Sequence, residues 1–172
     1  MTLLGLLLIS PSVLLIVLAY GLVAGTFEEL GWTGFSIPVL RQRFGVPAAG
    51  LIVGGLWADW HVPVYVWGSG DAAGVFSWAR FLPEFTFLVA VLPGYRVLMV
   101  WAYDRTDSLL LATLMHASLT ATTTAILVPS ATGLSRAIYY LVLAVVLWGT
   151  IGAIAAASGG RLTMPPLRKG MV

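Results

Sequence analysis

Three side chains in this sequence have the types and the setting needed for acid–base chemistry: Glu28, His61 and His116. The two histidines are the only ones in the chain, and all three residues lie in strongly apolar stretches. Three further ionisable residues occur in the same kind of stretch: Glu29, Asp59 and Arg96. Ionisable groups inside apolar segments are energetically costly, so they are treated first as candidates for a functional site.

The elements that carry these residues are five apolar stretches. A bilayer core is crossed by about 20 apolar residues in a helix. The stretches of that length are 3–27, 46–67, 83–102, 108–129 and 136–157. The chain is 59% hydrophobic and only 9% charged, whereas a soluble domain is about a quarter charged. We therefore predict an all-α fold, a polytopic transmembrane helical bundle of about five spans in contact with the lipid bilayer.

The predicted domain organisation is simple. One transmembrane domain covers residues 1–160, and a short basic tail without a fold of its own covers 161–172. The absence of cysteine excludes disulfides and thiolate metal sites. No basic segment precedes the first apolar stretch, so a cleavable signal peptide is not expected. The net charge of +2 is divided among loops and tail, and no basic face indicates nucleic-acid binding.

Positive charge is distributed unevenly between the two sides of this predicted bundle. One side carries Arg41, Arg43, Arg105, Arg161, Arg168 and Lys169, and the other carries Arg80 and Arg136. Cytoplasmic loops of membrane proteins are enriched in arginine and lysine. The asymmetry predicts a cytoplasmic C-terminus and an N-terminus outside.

A helical hairpin would bring Glu28 and His61 to the same depth. If the first two spans turn at Phe44 and Gly45, Glu28 lies about 16 residues before the turn and His61 about 16 after it, or roughly 25 Å in each helix. Antiparallel helices packed about 8–10 Å apart could then place the carboxylate beside the imidazole.

Helix faces add a second geometric expectation. His116 and Thr120 are one turn apart and share a face, as do Trp57 and His61. Asp59 is two residues from His61 and points roughly the opposite way, so it is a poor candidate for orienting that ring.

Each candidate also has a purely structural interpretation. A lone intramembrane histidine can simply hydrogen-bond a neighbouring helix. The glutamate pair, near the end of its predicted span, could be solvated at the interface. Arg96 lies only about two turns from Asp104, which favours a side chain that snorkels to the interface.

The sequence resembles a known family in three motifs. Residues 27–34, FEELGWTG, resemble the Glu-Glu-x-x-x-Arg motif of the CAAX-processing and bacteriocin-immunity intramembrane proteases, the CPBP or Abi family. Residues 57–63, WADWHVP, resemble its aromatic-x-x-x-His motif, and residues 114–120, LMHASLT, its His-x-x-x-Asn motif. The motifs occur in the family's order with family-like separations, over about residues 20–125.

The resemblance implies roles for the candidate residues. Glu28 would be the general base that activates a water molecule, and His61 would help to hold that water. His116 and Thr120 would stabilise the oxyanion of the tetrahedral intermediate, where loss of one donor costs about 100- to 1,000-fold in rate. Supporting positions are Glu29, Trp57 and Arg96.

The sequence departs from the family motifs at two important positions. Thr33 stands where the family has arginine, which leaves Glu29 without its expected partner; we hypothesise that Arg96 supplies the guanidinium from the third span. Thr120 stands where the family usually has asparagine, and a hydroxyl has a shorter reach than an amide. Asp59 occupies a position that is usually apolar.

The resemblance implies an intramembrane endopeptidase acting on a membrane-embedded or prenylated-peptide-like substrate. One alternative is a catalytically degenerate relative that binds a peptide or partner in an immunity role. Another is a small transporter or proton path using Glu28 and His61 as relay groups.

The sequence also leads to expectations about cofactors, oligomeric state and location. We expect no cofactor, because the sequence has no H-E-x-x-H; the alternative is zinc held by Glu28, His61 and His116, in keeping with the older description of the family as metalloproteases. A homodimer would help to enclose a polar cavity that five helices surround thinly. The FEELGW form is typical of bacterial members, which implies a prokaryotic plasma membrane.

Overall fold

The computed structural model describes residues 11–123, 132–160 and 162–163, and these residues form five helices without a β-strand. The helices are α1 (Pro11–Leu40), α2 (Val46–Gly68), α3 (Trp78–Thr106), α4 (Leu109–Ala121) and α5 (Gly133–Ala157). By length and composition, α1, α3 and α5 can each cross a membrane. Large apolar side chains cover much of the described surface. The protein is therefore a helical membrane bundle, as the composition predicted.

Helix α1 continues well past residue 27, where the first predicted span ended. Glu28 consequently lies inside a long helix and not near its end. A π-helical turn at Trp32–Ser36 precedes Pro38, and α3 has a second one at Phe87–Val91, just before Pro93. Local π geometry can satisfy backbone groups that a proline leaves without a partner, so both helices run through their prolines.

The other helix boundaries differ from the prediction by a few residues. Helix α3 begins at Trp78 instead of residue 83, and α5 begins at Gly133 instead of residue 136. Helix α4 begins next to the predicted start at 108. The rest of that predicted span from residue 124, and the first span's residues 3–10, lie outside the described residues.

The helices pack mainly as two pairs, α1 with α4 and α2 with α3. Glycines make both approaches close: a Cβ atom added at Gly21 of α1 would lie 3.0 Å from the carbonyl oxygen of Ala117 in α4. One added at Gly54 of α2 would lie 2.7 Å from the Cα of Pro93 in α3. Small residues are the usual means by which membrane helices approach closely.

Helices α1 and α2, by contrast, scarcely contact each other. The predicted tight hairpin is therefore wrong, because the glycine faces of these two helices are directed at α4 and α3 instead. Helix α3 also contacts α4, and α5 packs against α3. Among the described residues, the order α1–α4–α3–α2 thus leaves one open side, between α1 and α2.

The two predicted sides correspond to the two ends of the bundle. Arg41 follows α1 and makes two hydrogen bonds to Asp104 of α3, of 2.8 and 2.6 Å. At the same end the hydroxyl of Thr163 accepts a 2.9 Å bond from the backbone N–H of Val46, and Leu162 is buried. The first residues of the predicted tail therefore pack against the bundle. Which end faces the cytoplasm stays a prediction.

The glycine contacts predict a sharp difference between neighbouring positions. Gly54→Ala should lower the free energy of unfolding by about 1–3 kcal/mol, because the added methyl group would overlap the backbone of Pro93. Gly55→Ala is the matched control, since a Cβ atom there meets nothing within 4 Å. Unfolding curves in detergent measure both variants. Equal midpoints would show that α2 and α3 are not packed this closely.

Candidate active site

The two adjacent glutamates differ in exposure: the Glu29 carboxylate is buried and the Glu28 carboxylate is accessible. Successive residues of an α-helix point about 100° apart, so two adjacent glutamates cannot share an environment. The buried stripe of α1 consists of Gly21, Gly25, Glu29, Thr33 and Ile37. The Glu29 side chain is accordingly 0% exposed, whereas that of Glu28, at the edge of the stripe, is 25% exposed.

Arg96 of α3 binds both carboxylate oxygens of Glu29. Its Nη1 donates to Glu29 Oε2 at 2.7 Å and its Nη2 donates to Oε1 at 2.9 Å. The Thr33 hydroxyl also donates to Oε2, and His116 Nδ1 donates to Oε1 at 2.8 Å. Paired guanidinium–carboxylate bonds of this geometry are among the stronger hydrogen bonds in proteins.

This arrangement decides between the two interpretations of Arg96. The side chain is 0% exposed, so the expectation that it snorkels to the interface is wrong. The buried carboxylate of Glu29 supplies the partner that makes burial of a guanidinium possible. The hypothesis that α3 provides the guanidinium missing at Thr33 is confirmed in its geometry.

Trp57 of α2 connects the two glutamates. Its indole Nε1 donates to Glu28 Oε2 at 2.8 Å, and the guanidinium carbon of Arg96 lies 4.2 Å from the indole centroid. His116 Nε2 lies 4.0 Å from the same Glu28 oxygen. The side chains of α1, α2, α3 and α4 thus meet around one carboxylate that remains accessible.

His61 lies one turn beyond Trp57 on α2 and is half-buried. Its Nδ1 donates to the backbone carbonyl of Trp57 at 2.8 Å. Because a carbonyl only accepts, Nδ1 carries the proton and the neutral ring keeps an acceptor at Nε2. The predicted hairpin would have placed the Glu28 carboxylate beside the His61 imidazole, but in the structure Glu28 contacts Trp57 instead. His61 lies beside Trp57, at a centroid distance of 5.8 Å.

Thr120 and Asp59 lie farther from this centre. Thr120 is one turn after His116, and its Cβ lies 3.5 Å from a Cβ atom added at Gly21, about two turns before Glu28 on α1. Its side chain therefore lies against α1 at a different level from the accessible carboxylate. Asp59 is exposed, on the side of α2 away from the site, as its spacing predicted.

The zinc alternative requires Glu28, His61 and His116 to converge on one point. In the part of the chain that the structure describes, no three histidine, aspartate or glutamate side chains are arranged to hold a metal ion. The guanidinium of Arg96 also places a positive charge within this group, which disfavours a dication there.

Two residues near the site were missed in the sequence. The Tyr95 hydroxyl donates to the Met115 carbonyl at 2.7 Å and so fastens α3 to α4 beside His116; no spacing pattern singles it out. Glu84 is buried and pairs with Arg136 of α5. Its signal was available, since it is an ionisable residue within the predicted span 83–102.

Comparison with known proteins shows which family the chain belongs to. Residues 10–122, which contain all three motifs, match the family model described as type II CAAX prenyl endopeptidase Rce1-like. A curated relative, CAAX prenyl protease 2 of Methanococcus maripaludis, is 27% identical over 95 residues, or 55% of this chain and 35% of the relative. The match thus spans about a third of that relative's length. No solved structure matched. Since the family model covers more than half of the chain, this protein belongs to the Rce1-like family of type II CAAX prenyl endopeptidases.

Proposed function

We propose that this protein is an intramembrane endopeptidase in which Glu28 activates water for attack on a peptide bond. The observation that carries the proposal is the division of the glutamate pair. Glu29 is buried and neutralised by Arg96, while Glu28 stays 25% exposed with His116 Nε2 4.0 Å away. The family supports a membrane protease, and the relative, a CAAX prenyl protease, supports a prenylated peptide as substrate.

The proposed base is held in place by one hydrogen bond. Trp57 binds Oε2 of Glu28, which leaves Oε1 to accept a proton from the attacking water. General bases contribute when they lie within hydrogen-bond reach of the proton that they remove. Glu28 then returns the proton to the amine of the leaving peptide.

His116 is the proposed donor to the oxyanion. Its Nδ1 proton is committed to Glu29, so a second proton is needed for Nε2 to donate. In that form the two carboxylates of Glu28 and Glu29 are balanced by two cations, Arg96 and His116. A charge-balanced cluster lowers the cost of placing four ionised groups inside an apolar bundle.

A catalytically inactive, peptide-binding relative is the second candidate. It is favoured by Thr120, whose side chain packs towards Gly21 and not towards Glu28. Loss of the family's asparagine at this position removes one oxyanion donor. The departure at Thr33 carries less weight, because Arg96 restores the guanidinium.

Cleavage of a prenylated peptide with an internal quencher, by the protein in nanodiscs, tests the proposal. We expect wild type to cleave it equally with and without chelator, and His61→Ala to lose most of the activity. Activity that disappears with chelator and returns with zinc would instead make the same residues metal ligands. A folded wild type that binds the peptide without cutting it would establish the second candidate.

A further inference from the structure

A cavity of about 440 Å³, mainly apolar but with several polar and charged side chains in its lining, lies beside the candidate active site. It is formed where α2 ends and where α3 and α5 begin, and its polar and charged lining includes Tyr65, Ser69, Arg80, Glu84, Arg136 and Tyr140. Tyr65 follows His61 by one turn of α2, and the two rings are 6.4 Å apart between centroids. The cavity therefore begins one helical turn from His61, towards the end of the bundle where α2 ends.

The charge of this cavity is positive. Glu84 is already occupied, since Arg136 binds its Oε1 and the Tyr140 hydroxyl donates to its Oε2 at 3.3 Å. Arg80 adds a second guanidinium, which donates to the carbonyl oxygen of Gly70 at 2.5 Å and is exposed. Two arginines against one glutamate leave the described lining with one net positive charge. An anionic group is the ligand that such a lining attracts.

We propose that this cavity binds the C-terminal carboxylate of the substrate peptide, on the leaving side of the scissile bond. The inference rests on the proposed function. Ser69, the lining residue farthest along this segment from His61, is eight residues from it, about 12 Å along the helix. An extended peptide advances about 3.3–3.6 Å per residue, so about three residues bridge that distance. The carboxylate then reaches Arg80, whose planar guanidinium suits it.

The position of the cavity favours a peptide over a lipid headgroup. A ligand that also passes His61 is favoured, because Tyr65 both lines the cavity and lies beside the His61 ring. A cleaved peptide has a segment on that side and ends in a carboxylate. A headgroup bound there would supply the anion without any link to the scissile bond.

Binding to a variant that cannot cut tests the proposal separately from catalysis. The protein is Glu28→Gln in nanodiscs, and the probes are fluorescent prenylated peptides that end three residues beyond the prenylated position, either in a free carboxylate or in an amide. We expect the carboxylate peptide to bind about 10-fold more tightly, the effect of one charge-assisted hydrogen bond. Adding Arg80→Gln should abolish this preference. Adding Arg43→Gln, an exposed arginine at the opposite end, should preserve it.

The outcomes decide between the proposal and its alternatives. Equal binding of the two peptides overturns the proposal, as does a preference that survives Arg80→Gln. Equal binding together with displacement by phosphatidylglycerol would assign the cavity to a lipid headgroup. Recovery of the preference by Arg80→Lys, which keeps the charge, would support the proposal and show that Arg80→Gln had not acted through folding. Wild type that binds with this preference but never cleaves would end the proposed function and leave the carboxylate site standing.

Discussion

Replacing Arg96 by methionine should lower the free energy of unfolding by about 3–5 kcal/mol. The substitution keeps much of the side-chain volume but leaves Glu29, which is 0% exposed, without the cation that holds both of its oxygens. A buried charge that loses its partner costs more than the pair contributed. Denaturant unfolding in detergent, followed by circular dichroism, measures the effect.

The double variant Glu29→Gln/Arg96→Met separates loss of the pair from the unpaired charge. We expect it to be more stable than Arg96→Met alone, because no charge then remains buried without a partner. Arg43→Met is the control for removal of an exposed arginine. An Arg96→Met protein as stable as wild type would refute the assignment of Arg96 as the partner that keeps Glu29 charged.

Glu28→Gln should lower kcat by about 100- to 10,000-fold while leaving the unfolding midpoint nearly unchanged. Glutamine has the same shape and can still accept the hydrogen bond from Trp57, but it cannot take a proton from water. Because Glu28 is 25% exposed and its cationic neighbour, His116 Nε2, is 4.0 Å away, removal of its charge should cost little stability.

Glu29→Gln is the matched control, one residue away. It should lower stability clearly, since Arg96 would lose its partner, whereas Glu28→Gln should leave the unfolding midpoint nearly unchanged. Both variants are compared by the rate of peptide cleavage per folded molecule and by the unfolding midpoint. If Glu28→Gln retained cleavage within about tenfold of wild type, the base would have to be another residue.

The fold class followed from composition alone, whereas the packing partners did not. Low charge and five long apolar stretches predict a helical bundle in any arrangement. Which helices pair depends on which face of each helix carries its glycines, and the hairpin prediction used only depth along the chain. Gly21 and Gly54 direct α1 to α4 and α2 to α3. The end of α1 was also missed, because the π turn before Pro38 has no clear sequence signal.

The sequence predicted which residues form the site, but not which of them contact each other. Glu28, Glu29, Trp57, His61 and His116 were all selected from motifs and from the cost of burying charge, and their catalytic roles remain predictions. The sequence left Arg96 undecided, since a long side chain near a helix end can reach the interface or a buried carboxylate equally well. Only packing decides between these outcomes.

The open side between α1 and α2 has a consequence for kinetics. Glu28 lies beside this opening, so for a protease of the proposed kind a lipid-anchored substrate arrives by lateral diffusion in the bilayer plane. Its effective concentration is then its mole fraction among the lipids and not its molarity in water. Adding inert lipid at constant amounts of enzyme and substrate slows the encounter by surface dilution. For fixed amounts of enzyme and substrate, the cleavage rate therefore falls as the membrane area increases.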